Sequence, residues 1–153
     1  METLVNWHKL TALYRHRYLS NRLKEKGLGY QSNNIGTPAF PQDLILRQYQ
    51  HQAVANWLEN KGRGTLKMAT GSGKTIIALA IATELYQQIG LQVLVIVCPY
   101  LHLVNQWARE CKKFYLEPIT AISRVENWQG ELSSKLYNLG NKCQSFITII
   151  TNN

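Results

Sequence analysis

The segment "LKMATGSGKT", residues 66–75, followed by "IIALAIATELY", residues 76–86, constrains the fold more than any other part of the chain. Two glycines separated by one residue and followed by Lys-Thr let a backbone curl until successive N–H groups face one anion. An apolar, helix-forming run directly after them places that anion at a helix N-terminus, where the macrodipole also favours it. The pattern predicts a short strand over 65–68, a loop over 69–73 and a helix over 74–89 closed by Gly90. Met68 stands where the general phosphate-loop pattern G-x-x-x-x-G-K-[ST] has its first glycine; the second half of the pattern is complete. In such a loop Lys74 reaches the β- and γ-phosphates and the Thr75 hydroxyl is a Mg²⁺ ligand.

The surrounding chain alternates in the same way. Tyr49, Ala53, Val54, Trp57 and Leu58 recur at helical spacing and predict a helix over 46–60 that stops at Gly62. "QVLVIVC" is continuous, apolar and β-branched, the pattern of a strand covered on both faces. A helix over 101–114, a strand near 118–123, a helix over 130–139 and the buried strand "SFITIIT" complete the series. Strands alternating with helices predict an α/β fold with a parallel sheet wrapped by helices. The last strand is expected to leave an exposed edge.

Residues 3–26 differ in kind. Leu10, Leu13, Tyr14 and Tyr18 fall at helical spacing among Lys9, Arg15, Arg17, Arg22, Lys24 and Lys26, predicting one or two basic amphipathic helices that end at Gly27 or Gly29. "QSNNIGTPAFPQD" then reads as a linker or an ordered loop. This divides the chain into a basic helical extension and linker, 1–36, and a nucleotide-binding domain, 37–153.

A net charge of +8 favours phosphate-bearing partners. No apolar run reaches membrane-spanning length, so no membrane partner is expected. The N-terminus lacks the basic start and apolar block of a secretory signal, and Cys98, Cys111 and Cys143 show no metal-ligand spacing. They read as reduced structural thiols of a cytoplasmic protein.

Phosphate loops serve many chemistries, and two flanking segments narrow the choice. "LILRQYQHQAVANWLENKGRG" upstream and "VLVIVCPYLHLVNQW" downstream, taken with "MATGSGKT", resemble the opening motifs of superfamily 2 helicases and translocases. The resemblance is to the branch of type III restriction-enzyme motor subunits and DEAD/DEAH-like ATPases, and it covers residues 44–153. In that branch methionine at the place of Met68 is ordinary. The resemblance implies a P-loop, RecA-like sheet, incomplete here, with an N-terminal helical extension, and ATP with Mg²⁺ as cofactors. It implies that Gln50 reads the adenine edge, that Arg47 packs near the base, and that Met68, Ala69, Thr70, Gly71, Ser72, Gly73, Lys74, Thr75 and Ile76 bind the nucleotide. Lys74 and Thr75 are the catalytic candidates. Pro99 and Tyr100 are the candidates for contact with a nucleic-acid backbone, DNA ahead of RNA. Gln106 and Trp107 are expected to pack their helix on the sheet, and Arg109, Lys112 and Lys113 to form a solvated face. Thr151 matches a further nucleic-acid motif, whereas Asn152 departs from it.

Hydrolysis by this architecture needs an acidic pair, one carboxylate for Mg²⁺ and one for the attacking water. No adjacent Asp-Glu pair occurs among the nine acidic residues. The expectation is a portion of a longer protein, with the acidic motif and the second RecA-like domain lying beyond it, that binds nucleotide without turnover. A small P-loop kinase or transferase and a non-catalytic nucleotide-binding module remain as alternative readings.

Overall fold

A computed structural model describes residues 5–23, 36–141 and 146–152, the side chains of 20–23 excepted. The described residues form two compact units, one of residues 5–23 with 42–89 and one of residues 36–41 with 90–152.

The first unit holds three helices and the phosphate loop. Helix α1 spans Trp7–Leu23, α2 Gln48–Glu59 and α3 Lys74–Ile89. The N-terminal basic segment thus forms one helix where described; its expected end at Gly27 or Gly29 lies outside the described residues. Leu10 and Tyr14 of α1, Val54, Ala55 and Leu58 of α2, and Ile77, Leu79, Ala80 and Ile81 of α3 are buried. The buried side of α2 is therefore rotated from the expected apolar face. Tyr49, Ala53 and Trp57 instead line a cavity of about 670 Å³ with residues 64–68. Lys61 and Gly62 end α2 with positive φ of 56° and 74°, and Gly62 N–H returns to the Trp57 carbonyl at 3.1 Å. Glycine adopts that conformation without a Cβ penalty.

The expected strand at 65–68 does not form. Leu66 and Met68 are half-buried and Thr65 and Lys67 exposed, which is a strand's alternation, but no other strand pairs with them among the described residues. A strand exists only through its ladder.

The second unit is a three-stranded parallel sheet in the order β1-β3-β2, with β1 Val93–Cys98, β2 Pro118–Ala121 and β3 Ile147–Asn152. Helix α4, Leu101–Lys113, joins β1 to β2, and α5, Trp128–Gly140, joins β2 to β3. The two crossovers run in opposite directions across the sheet, and right-handedness places α4 and α5 on opposite faces. This is the α/β, incomplete RecA-like sheet flanked by helices that the motifs predicted.

Two expectations about the sheet are corrected. The last strand leaves no open edge: β3 pairs with β1 and β2 and is the central strand, so β1 and β2 are the edges. Nor is β1 covered on both faces among the described residues. Ile96 and Cys98 are buried on the α4 side, whereas Val95 and Val97 are 54% and 63% exposed, because α5 packs over β2 and β3 instead. The segment at 36–41 is an ordered loop, pinned by Gly36 N–H to the Tyr115 carbonyl at 2.7 Å and by Ala39 N–H to the Phe114 carbonyl at 3.2 Å. Cys98 and Cys111 are buried free thiols; Cys143 lies outside the described residues. No described helix is long and apolar enough to cross a membrane.

Candidate functional site

The phosphate loop is built from both ends. Gly71 and Gly73 take φ of 80° and 83°, the left-handed region that a Cβ resists. Between them the loop tightens on itself, the Ser72 hydroxyl donating to the Ala69 carbonyl at 2.8 Å and the Ser72 N–H to the same carbonyl at 3.3 Å. Helix α3 starts at Lys74 with no acidic residue in its first turn. The first N–H groups of any helix lack intrahelical partners, so the Thr75 and Ile76 amides add donors without a nearby carboxylate to repel an anion. Lys74 folds over the loop and donates to the Met68 carbonyl at 3.0 Å and to the Ala69 carbonyl at 2.9 Å. An ammonium carries three protons; two hold the side chain across the loop, and the third can meet a phosphate oxygen.

Helix α2 locks onto this loop through Gln50, a polar residue only 7% exposed. Its Oε1 accepts from Arg47 N–H at 2.8 Å, one half of a capping box that satisfies an orphan donor at the start of α2. Its Nε2 donates to the Ser72 carbonyl at 3.2 Å. A Cβ on Gly73 would fall 2.5 Å from that Nε2. The second glycine is therefore needed twice, for its φ and for the space the amide occupies. Each end of the amide keeps one further capacity, a second N–H and a second lone pair, which is the bidentate pattern an adenine edge requires. Arg47 is exposed, with its guanidinium 3.4 Å from the Tyr49 hydroxyl.

Tyr49 is a contact that sequence reasoning placed only on an apolar face. Its hydroxyl donates to the Ser72 carbonyl at 3.0 Å, so two consecutive residues of α2 converge on one loop oxygen. A tyrosine directly before the glutamine was the available signal. Behind Gln50, His51 is held by α1: the Tyr14 hydroxyl lies 2.7 Å from its Nδ1 and the Tyr18 ring lies against it, tilted by 32° with centroids 3.8 Å apart. Burial lowers the His51 pKa to about 4 and raises that of the Tyr14 hydroxyl. At neutral pH the imidazole is therefore neutral, and its Nδ1 shares a hydrogen bond with the Tyr14 hydroxyl.

The nucleic-acid candidates lie in the second unit. Pro99 and Tyr100 are exposed just beyond β1, and Tyr100 caps α4 in extended conformation with no side-chain cap bond. Its ring is 64% exposed and lies parallel to His102, centroids 5.7 Å apart. Thr151 is opposite Val97 in the ladder, at the same carboxyl end of the sheet, where open α/β sheets bind ligands. Its hydroxyl donates to the Ala121 carbonyl at 2.7 Å. Gln106 is exposed, which corrects its expected packing role, and Trp107 is half-buried. Helix α4 buries Val104 and Cys111, a stripe that turns position 106 towards solvent. Arg109, Lys112 and Lys113 are exposed, Lys113 pairing with Glu110 at 2.6 Å.

Comparison with known proteins adds the following. The family described as type III restriction enzyme, res subunit, matches residues 43–153. The DNA 3'-5' translocase XPB2 of Sulfurisphaera tokodaii is 35% identical over 104 residues, which is 66% of this chain and 22% of that protein. An uncharacterised protein of Mycobacterium leprae is 40% identical over 65 residues, 42% of this chain and 11% of that protein. An uncharacterised protein of Mycobacterium tuberculosis is 42% identical over 64 residues, 41% and 11% of the two chains. The chain thus spans about a fifth or less of the length of these relatives. No solved structure matches it.

Proposed function

The chain belongs to the family of the type III restriction enzyme res subunit, a helicase and translocase ATP-binding domain, and from that premise we propose that it binds Mg·ATP for movement on nucleic acid. Gln50 and residues 68–76 hold the nucleotide, Arg47 flanks the base and the Thr75 hydroxyl ligates Mg²⁺. The observation that carries this reading is the Gln50 amide seated on Ser72 and against Gly73, which joins a base-reading side chain to a phosphate cradle. ATP bound there would give up its γ-phosphate only with an acidic pair, and the 153 residues contain none; this chain therefore binds nucleotide with negligible turnover.

Pro99, Tyr100 and Thr151 contact the nucleic-acid backbone, DNA in preference to RNA. Their support is the exposed turn and helix N-terminus at the carboxyl end of the sheet, together with the net charge of +8. A second RecA-like lobe completes the motor, with residues 1–36 as an extension of the domain at 37–153. The working compartment is the cytoplasm. The family's description as a restriction-enzyme subunit supports placing the activity in a restriction or defence system.

Fluorescence anisotropy with a short single-stranded DNA tests the nucleic-acid half. The expected binding is weak and falls steeply as salt rises, because each phosphate contact releases counterions. Binding that is absent at low salt, beside intact ATP affinity, would favour a small-molecule kinase.

A further inference from the structure

Helix α1 precedes the family match at 43–153, yet its side chains reach both helices that frame the phosphate loop. The Tyr14 hydroxyl and the Tyr18 ring hold His51, the residue after Gln50, from two directions. From the same stretch of α1, Arg17 Nη1 lies 3.1 Å from each carboxylate oxygen of Glu84 on α3 and 3.2 Å from Gln87 Oε1. Farther along α2, Arg15 pairs with Glu59 at 2.9 Å. Trp7 meets Trp57 edge-on at 6.2 Å and covers Gly62, where a Cβ would come 2.5 Å from its ring. Helix α1 therefore runs antiparallel along α2 and is pinned to α3 at one point.

We propose that α1 is a positioning element of the nucleotide site: Tyr14, Tyr18 and Arg17 fix α2 against α3 and so hold Gln50 on Ser72 and Gly73. The consequence for ATP rests on the function proposed above; the mechanical part does not.

The chemistry of these contacts favours a positional role over a stabilising one. The Glu84 side chain is 4% exposed, and burial raises its pKa with Arg17 drawing it only partly back. A buried pair of that kind adds little net stability, because desolvation offsets the attraction. It does set a distance and a direction, with one guanidinium nitrogen shared between acceptors about one helical turn apart, Glu84 and Gln87. The His51 contacts are equally directional. The Tyr18 ring against one face and the Tyr14 hydroxyl at Nδ1 constrain the imidazole in two directions, and a shift of the first turn of α2 would carry the neighbouring Gln50 off Ser72.

Hydrogen exchange read by mass spectrometry on the full chain, without nucleotide, tests the proposal. Tyr18→Ala, Arg17→Ala and Gln50→Ala should each speed exchange over residues 69–76 by at least about fivefold. Because they act through one contact, Tyr18→Ala combined with Gln50→Ala should be no faster than Gln50→Ala alone. Strand 147–152 should keep its wild-type rate, and Arg17→Lys, which keeps the cation at Glu84, should restore the loop. Unchanged loop exchange, additive effects in the double variant, or equal acceleration of 147–152 would overturn it. If Tyr18→Ala fails to fold, Arg17→Ala at its half-exposed site carries the same test. Mg·ATP affinity should fall in parallel with loop protection. Wild-type chain with no Lys74-dependent ATP affinity would refute the nucleotide reading, while the exchange result alone still decides the role of α1.

Discussion

Gln50 and Gly73 share one corner of the molecule: the amide Nε2 sits where a side chain on residue 73 would begin, 2.5 Å from its Cβ position. Helix α2 and the phosphate loop are thereby fitted to each other atom against atom. Gly71, with a nearly identical φ, faces open space.

That contrast gives a paired prediction. Gly71→Ala should destabilise the chain by about 1–2 kcal/mol through left-handed strain alone. Gly73→Ala adds the clash with Gln50, so its loss should be larger. Only Gly73→Ala should also be partly relieved by Gln50→Ala. Urea midpoints of the two single variants and the double variant read this directly.

The His51 site predicts a pH dependence. An unfolded histidine takes its proton near 6.5, whereas burial holds that of folded His51 to about 4. Between those values the unfolded chain binds more protons, so stability rises with pH across the window and is lost as pH falls through it. The groups facing His51 from α1 are Tyr14 and Tyr18, and the charges of Arg17 and of Glu84 on α3 act on Tyr14. Glu84 acts with opposite sign, since a carboxyl raised by burial loses stability as pH rises through its folded value. Urea denaturation at pH 4.5 and pH 7 should therefore show a slope that His51→Phe flattens and Glu84→Gln steepens.

The buried centre of the sheet and the exposed face of β1 should respond differently to truncation. Ile150→Ala in the central strand, fully buried, should cost about 2–5 kcal/mol. Val95→Ala on the uncovered face of β1 should cost less than about 1 kcal/mol. Equal losses would show that the valine face is covered in solution.

Thiol labelling checks the interior on the other face. Burial raises the Cys98 thiol, and that of Cys111 is pushed up to about 12 by burial with Glu110 and Cys98 adding to it. The thiolate is the reactive form. Both residues should resist iodoacetamide at neutral pH until denaturant is added, as peptide mapping would reveal.

Much of this was legible in the sequence, and the exceptions have physical causes. Helices α2 to α5 and strands β1 to β3 followed from apolar periodicity, because each carries its pattern within its own length. The strand at 65–68 was misread because its alternation is real but the ladder that defines a strand is a property of a neighbour. The same limit hid the central place of β3 and the bare face of β1, which depend on strand order and on where α5 lands. At the site, the glycines and Lys74 announced themselves by spacing, and Gln50 stood out through the family resemblance. Tyr14, Tyr18 and His51 did not, because their meeting joins residues 37 apart or nearly so and no local pattern records it.

Isothermal titration of Mg·ATP into the wild-type chain and into Lys74→Ala tests the central claim most directly. The arrangement of Lys74 over the loop predicts measurable wild-type binding and an affinity lower by at least about tenfold, near 1.4 kcal/mol, in the variant. Equal affinity in the two proteins would contradict it.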